Sequence, residues 1–188
     1  LFKAERFNMN ITKKILKKLT LKIIADDKTI VNNQKLKELV KKNSQVLSQL
    51  GIKKNDNVVI VLNNSLEFVI SFLSTVNVCI SAPLNPNYTE GEFNFYFSDL
   101  KPKLIITNFE NDHAAILCAK KFKIKILNIK NYIFQTNSKK NVKNILSSGL
   151  NDTALVLHTS GTTSKPKMVP LTHSNIINSA LNISTSLR

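Results

Sequence analysis

Apolar positions along this chain alternate between two periods. Leu36, Leu39, Val40, Val46, Leu47 and Leu50 recur at helical spacing, with Gly51 where a helix stop belongs. Val58–Leu62 is then a continuous, β-branched run, the pattern of a strand buried on both faces. After Asn63-Asn64-Ser65, with Ser65 as a candidate N-cap, Phe68, Val69, Phe72, Leu73 and Val76 predict a second amphipathic helix. Val78–Ala82 predicts a second strand, and Pro83 and Pro86 are expected to end regular pairing. Thr89 and Glu92 have capping-box spacing ahead of the stripe Phe93, Tyr96, Phe97 and Leu100. Leu104–Ile106, a helix over 112–121, Ile124–Leu127 and a buried strand at Ala154–Leu157 continue the alternation. Upstream, Ile23–Val31 fits a short hairpin turning at Asp26-Asp27, and 128–150 reads as a polar surface connection with one short helix. Strands alternating with helices imply an α/β fold with largely parallel sheets and flanking helices.

Composition changes this picture little. Hydrophobic residues are 43% of 188, which is globular rather than disordered. The net charge of +15 raises the question of an anionic partner, but the only arginines are Arg6 and Arg188 and the lysines are scattered. No nucleic-acid-binding motif accompanies the charge, which argues against that partner. The Lys13–Lys18 run reads as a solvated helix face. Phe68–Leu84 is interrupted by Ser71, Ser74, Thr75, Asn77 and Ser81, so no transmembrane segment is expected. Cys79 and Cys118 read as buried thiols of a reducing compartment. The expected location is therefore intracellular, cytoplasmic or peroxisomal. The chain opens on Leu1 and closes on Arg188 within a helical pattern, so it is expected to be a piece of a longer protein.

Candidate chemistry is concentrated between His158 and Ser174. A buried strand runs into Thr159, Ser160, Gly161, Thr162, Thr163, Ser164, Lys165, Pro166 and Lys167. Gly161 lets backbone N–H groups approach an anion, the hydroxyls add short donors, and Lys165 and Lys167 add charge-assisted ones. On composition alone, a Ser/Thr-rich surface turn fits equally well. The Walker spacing G-x-x-x-x-G-K-[ST] is absent. None of the histidines reads as a general base. His113 falls near a helix start, His158 ends a strand where packing or a local bond suits it, and His173 lies near the start of the helix after the loop.

The order Thr159-Ser160-Gly161-Thr162-Thr163-Ser164-Lys165-Pro166-Lys167 resembles the phosphate-loop signature of the AMP-binding, adenylate-forming superfamily. That superfamily includes acyl-CoA synthetases, coumarate–CoA ligases, luciferases and adenylation domains. Asn57–Phe68 and Ala82-Pro83-Leu84-Asn85-Pro86 with Tyr88-Thr89 resemble its upstream core segments, and the likeness covers roughly 20–188. His158 through Lys167 with Val169-Pro170-Leu171-Thr172, and Glu92–Lys101, are similar to the oxalate–CoA ligases. The chain departs from the pattern at Ser164 and Met168, where glycines are usual, and at Asn77-Val78, where Ala-Gly is usual.

The resemblance implies the N-terminal part of the large domain of an adenylate-forming enzyme, with a lead segment at 1–20 and a partial AMP-binding domain at 20–188. It implies an ATP-dependent acid–CoA ligase, oxalyl-CoA synthetase-like, acting on a small carboxylic acid with ATP, Mg²⁺ and coenzyme A. Residues 159–165 and Lys167 would hold the β- and γ-phosphates. The adenine-binding segment, a magnesium-binding glutamate, a ribose-binding aspartate and a catalytic lysine would lie downstream, so no catalytic residue is expected here and the isolated chain is expected to lack ligase activity. A fatty acyl-CoA synthetase or an adenylation domain is the alternative within the superfamily. A non-catalytic binding protein is the alternative outside it.

Overall fold

A computed structural model describes residues 9–17, 22–24, 28–138, 147–159 and 166–187. Helix α1 spans Ile11–Leu16 and is followed by the antiparallel pair β1 (Lys22–Ile24) and β2 (Ile30–Asn32), in which Ile23 faces Val31. Next come α2 (Asn33–Gln49), β3 (Asn57–Val61), α3 (Leu66–Val76), β4 (Ile80–Pro83), α4 (Glu90–Leu100) and β5 (Leu104–Thr107). The chain continues through α5 (Ala114–Lys121), β6 (Lys125–Lys130), β7 (Ile133–Phe134), β8 (Thr153–Thr159), β9 (Lys167–Thr172) and α6 (His173–Ser186).

Seven strands form one sheet in the order β7-β6-β5-β3-β4-β8-β9. The five central strands are parallel, and the edge strands β7 and β9 run antiparallel to their neighbours. The β3 run Val58–Val61 is fully buried because both faces of the sheet are covered. Val58 and Ile60 pack beneath Val46 and Leu47 of α2 and Phe68 and Phe72 of α3. Val59 and Val61 pack on the opposite face against Phe93, Tyr96 and Phe97 of α4 and Ala115 and Cys118 of α5. The strand's period of two thus divides one run between two cores.

Helix ends follow the residues that dictate them. Ser65 Oγ accepts the Phe68 N–H at 3.2 Å, and Thr89 and Glu92 form a complete capping box. Gly51, just beyond α2, has φ +81°, a left-handed conformation that glycine adopts without steric cost. Several features depart from expectation. Strand β4 ends at Pro83, one residue later than expected: Pro83 itself pairs opposite Ile60, and the Leu84 N–H donates to the Ile60 carbonyl at 3.0 Å. Within the expected surface connection, 128–130 continue β6 and 133–134 form β7, while 135–138 are irregular and 139–146 lie outside the described residues. On α3, Phe68, Val69 and Phe72 are only half-buried, and Ile70, Ser71 and Ser74 are buried fully, because α2 covers its other side. Among the described residues, no helix is long and apolar enough to cross a membrane. Cys79 and Cys118 are both buried and unpaired.

Candidate functional site

In a parallel sheet the loops that leave the carboxyl ends of the strands gather at one edge, and ligands favour the crevice where successive crossovers part to opposite faces. Here that crevice lies between β3 and β4. The loop after β3 enters α3 on one face, and the loop after β4 enters α4 on the other. Leu62, Asn63, Asn64, Asn85 and Asn87 line a cleft of about 470 Å³ at this place. Asn85 Oδ1 accepts the Asn87 N–H at 3.0 Å, an Asx turn within the β4–α4 loop.

Strand β8 lies beside β4 and runs parallel to it, so its last residue, Thr159, reaches the same edge. Thr159 is exposed, and its partner across the antiparallel β8–β9 pair is Lys167, also exposed. Of the residues expected to bind phosphate, the structure therefore brings Thr159 and Lys167 face to face. Ser160, Gly161, Thr162, Thr163, Ser164 and Lys165 lie outside the described residues. Strand β9 carried no sequence signal of its own: Met168, opposite His158, is 44% exposed and Pro170 sits on the sheet's edge, where its missing N–H breaks no ladder.

Side chains of α4 fix the end of β8. His158 Nε2 lies 2.8 Å from Asp99 Oδ2, and its ring stands edge-on to Tyr96 with centroids 4.8 Å apart. Tyr96 stacks on Tyr88 at 5.0 Å, and its hydroxyl is pushed up to about 12, chiefly by its hydrogen bond to the Tyr88 hydroxyl. His158 thus packs and bonds locally, as its place at the strand end suggested. His113 does the same as the N-cap of α5: Nδ1 accepts the Ala115 N–H at 3.2 Å and the ring stacks on Phe109 at 4.1 Å.

His173, the first residue of α6, is fully buried. Its Nδ1 accepts the N–H of Ile11 at 3.2 Å, a contact across 162 residues that sequence spacing does not reveal. Burial pushes its pKa down to about 4, with the negative charge of Asp152 opposing. Among the described residues, no group of three or more His, Cys, Asp or Glu side chains is placed to hold a metal ion.

The chain matches the family model described as AMP-binding enzyme over residues 17–188. It belongs to the AMP-binding enzyme family. The oxalate–CoA ligase of Arabidopsis thaliana is 35% identical over 185 residues, covering 93% of this chain and 36% of that protein. The oxalate–CoA ligase of Saccharomyces cerevisiae is also 35% identical, over 171 residues, covering 73% of this chain and 31% of that one. This family member thus spans about a third of the length of the curated relatives it matches. Its fold superposes on apo MatB from Rhodopseudomonas palustris with a TM-score of 0.77 at 22% identity, covering 92% of this chain and 37% of that one. The Bacillus subtilis o-succinylbenzoate–CoA synthetase MenE, in complex with AMP, gives 0.76 at 21% identity, covering 96% and 46%. At such identities the likeness concerns the fold.

Proposed function

We propose that the β8–β9 hairpin holds the β- and γ-phosphates of ATP and that the protein is an acid–CoA ligase, oxalate being the favoured acid. The observation that carries this reading is the opposition of Thr159 and Lys167 at the carboxyl edge of the sheet, where the hydroxyl-rich sequence Ser160–Lys165 joins them. The similarity to two oxalate–CoA ligases supports the choice of acid.

In the proposed reaction a carboxylate oxygen attacks the α-phosphorus of ATP, pyrophosphate leaves, and the thiol of coenzyme A then displaces AMP to form the thioester. Two anions must meet in the first step, so positioning and charge neutralisation carry the catalysis. Lys167 contributes an ammonium directed at phosphate oxygens, and such charge-assisted bonds are roughly twice as strong as neutral ones. The Thr159 hydroxyl is a hard oxygen donor and suits a magnesium ion held mainly by phosphates and water. That ion, when bound, would neutralise charge on the departing pyrophosphate. No proton need be removed from a carboxylate, so the first step asks for no general base within this chain. Residues 20–188 would be one part of the AMP-binding domain, with the adenine, ribose and catalytic-lysine contacts made by chain beyond it. Two unpaired buried thiols favour a reducing location, cytoplasmic or peroxisomal.

Replacing Lys167 with Ala in the full-length protein tests the reading. Loss of a charged hydrogen bond predicts roughly tenfold or weaker ATP binding. Unchanged affinity and turnover would overturn it. An acid panel with the same protein decides the acid: activity confined to long-chain acids would replace oxalate by a fatty acid. The 188 residues alone should release no pyrophosphate from ATP and acid.

A further inference from the structure

Strand β9 and helix α6 bury few of their described side chains. Among the described residues from 166 to 187, only His173 and Ile177 are buried. Strand β9 is, among the described residues, an edge strand that pairs only with β8. Both buried side chains meet the same short segment at the other end of the chain. Ile177 packs in a cluster with Ile11, Val76 and Ala154, and His173 Nδ1 takes the Ile11 N–H.

That segment is itself built into the body. Asn10 is fully buried; its Oδ1 caps α1 through the Lys13 N–H at 2.9 Å. Its Nδ2 donates to the Ser148 carbonyl at 2.9 Å and to Asn77 Oδ1 at 3.2 Å. The buried Thr12 donates its hydroxyl to the Leu73 carbonyl at 2.8 Å, and the Leu16 carbonyl accepts from Asn33 Nδ2 at 3.2 Å. Residues 10–16 precede the stretch matched by the family model, yet they touch α2, α3, α6 and the segment before β8. A buried N–H such as that of Ile11 must find an acceptor, and the one it finds belongs to His173, the residue that directly follows β9 and opens α6.

We propose that His173 is a positioning residue: by accepting the Ile11 amide it clasps the β9–α6 unit to helix α1, and so holds β9, with Lys167 on it, against β8. The clasp adds to the β8–β9 ladder and to the Asp152 and Leu150 carbonyls, which accept the His173 and Ser174 N–H at 3.1 and 3.0 Å; the consequence for nucleotide binding rests on the function proposed above.

Two substitutions cut the clasp from opposite sides. His173→Leu keeps the bulk and removes the acceptor. Ile11→Pro removes the donor with little damage to α1, because position 11 is the first helical residue and Asn10 already has the φ −62° and ψ 168° that a following proline requires. Ile11→Ala keeps the N–H and controls for the lost side chain. His173→Asn places an amide oxygen near the position of Nδ1 and should restore the acceptor.

Hydrogen exchange along β9, read at residue level in each variant, tests the clasp. His173→Leu and Ile11→Pro are each expected to speed exchange in β9 by roughly tenfold, the Pro variant clearly more than Ile11→Ala. Combining the two should add little beyond either, and His173→Asn should return exchange to within about threefold of the parent. Unchanged β9 exchange in folded His173→Leu would overturn the proposal, as would full additivity of the pair or failure of Asn to rescue. Should His173→Leu fail to fold, the Ile11→Pro and Ile11→Ala comparison decides alone, and equal exchange in those two overturns it. ATP affinity is measured on the same variants of the full-length protein: faster exchange without weaker binding would leave the clasp standing and remove the phosphate-binding role of the hairpin.

Discussion

His158 on β8 and Asp99 on α4 meet at 2.8 Å between Nε2 and Oδ2, and this bond joins the strand that ends in Thr159 to the helix beneath it. The His158 side chain is almost wholly enclosed while Asp99 is partly open to water. Removing the buried partner should therefore cost more than removing the open one. His158→Ala loses the bond and the aromatic contacts with Tyr96 and Phe95, and an expected destabilisation of about 2 kcal/mol follows. Asp99→Asn keeps an acceptor and should cost under about 0.5 kcal/mol, with Asp99→Ala near 1 kcal/mol. Urea titrations of the three variants, compared at equal slope, check the order.

Asn43 holds the opposite edge of the sheet. From within α2, fully buried, its Nδ2 donates to the Tyr132 carbonyl at 2.9 Å and its Oδ1 accepts the Phe134 N–H at 3.0 Å. One side-chain amide thereby stands in for a strand neighbour to β7. Asn43→Leu is close in volume but leaves both backbone groups without partners. An expected loss of about 2–4 kcal/mol, with faster exchange of the Phe134 amide, separates this from a simple packing change.

Much of the sheet was legible because local signals agreed with the tertiary outcome. Val58–Leu62 could be read as a strand buried on both faces, and the Thr89–Glu92 box fixed the start of α4 before any contact was known. Strand β9 was illegible for a physical reason. An edge strand is covered on few sides, so Met168–Thr172 needs no apolar run and tolerates Pro170. The same exposure explains why Leu157 is 41% accessible although Ala154–Leu157 reads as continuously buried: β8 buries only Ala154 and Val156. Strand β7 depends on Asn43, 91 residues before its Phe134, and His173 depends on Ile11, 162 residues away. Neither partnership leaves a periodic trace. At the candidate site, the residue order pointed to a phosphate-loop-like segment but not to strand β9, and the fold adds that Thr159 and Lys167 stand opposite one another.

The two cysteines should be inert in the folded protein. Burial drives the Cys79 thiol well above its ordinary range, and the nearby Asp56 charge adds to this. Cys118 is raised by burial first and by Glu90 second. Because the thiolate is the reactive form, neither should be alkylated by iodoacetamide at pH 7.5 in the native state. In urea both should react, giving two added carbamidomethyl groups by mass spectrometry. Alkylation of either in the native state at the rate of a free thiol would contradict the burial described here.

Acid should loosen the His173 anchor before it neutralises the carboxylates. The folded protein holds His173 near 4 against an ordinary 6.5, so between these values the unfolded chain binds the proton more readily. Stability therefore rises with pH across that window: the contribution is complete above about 6.5, declines as pH falls, and is gone below about 4. Asp152 is pulled upward by burial, but Lys54 and the Gly149 N–H outweigh that and leave it below its ordinary 3.8. Its contribution is thus present above 3.8 and is lost only at lower pH, as it falls through the depressed folded value. The capping carboxylate Glu92, lowered by its bonds to Thr89, likewise loses its contribution only below 4.5. The slope of stability against pH between 6 and 5 should accordingly include the His173 contribution. Melting temperatures of the parent and His173→Asn, taken at half-unit steps from pH 7 to 4.5, check this. The parent is expected to lose stability below pH 6 more steeply than the Asn variant; parallel curves would assign the acid sensitivity to other groups.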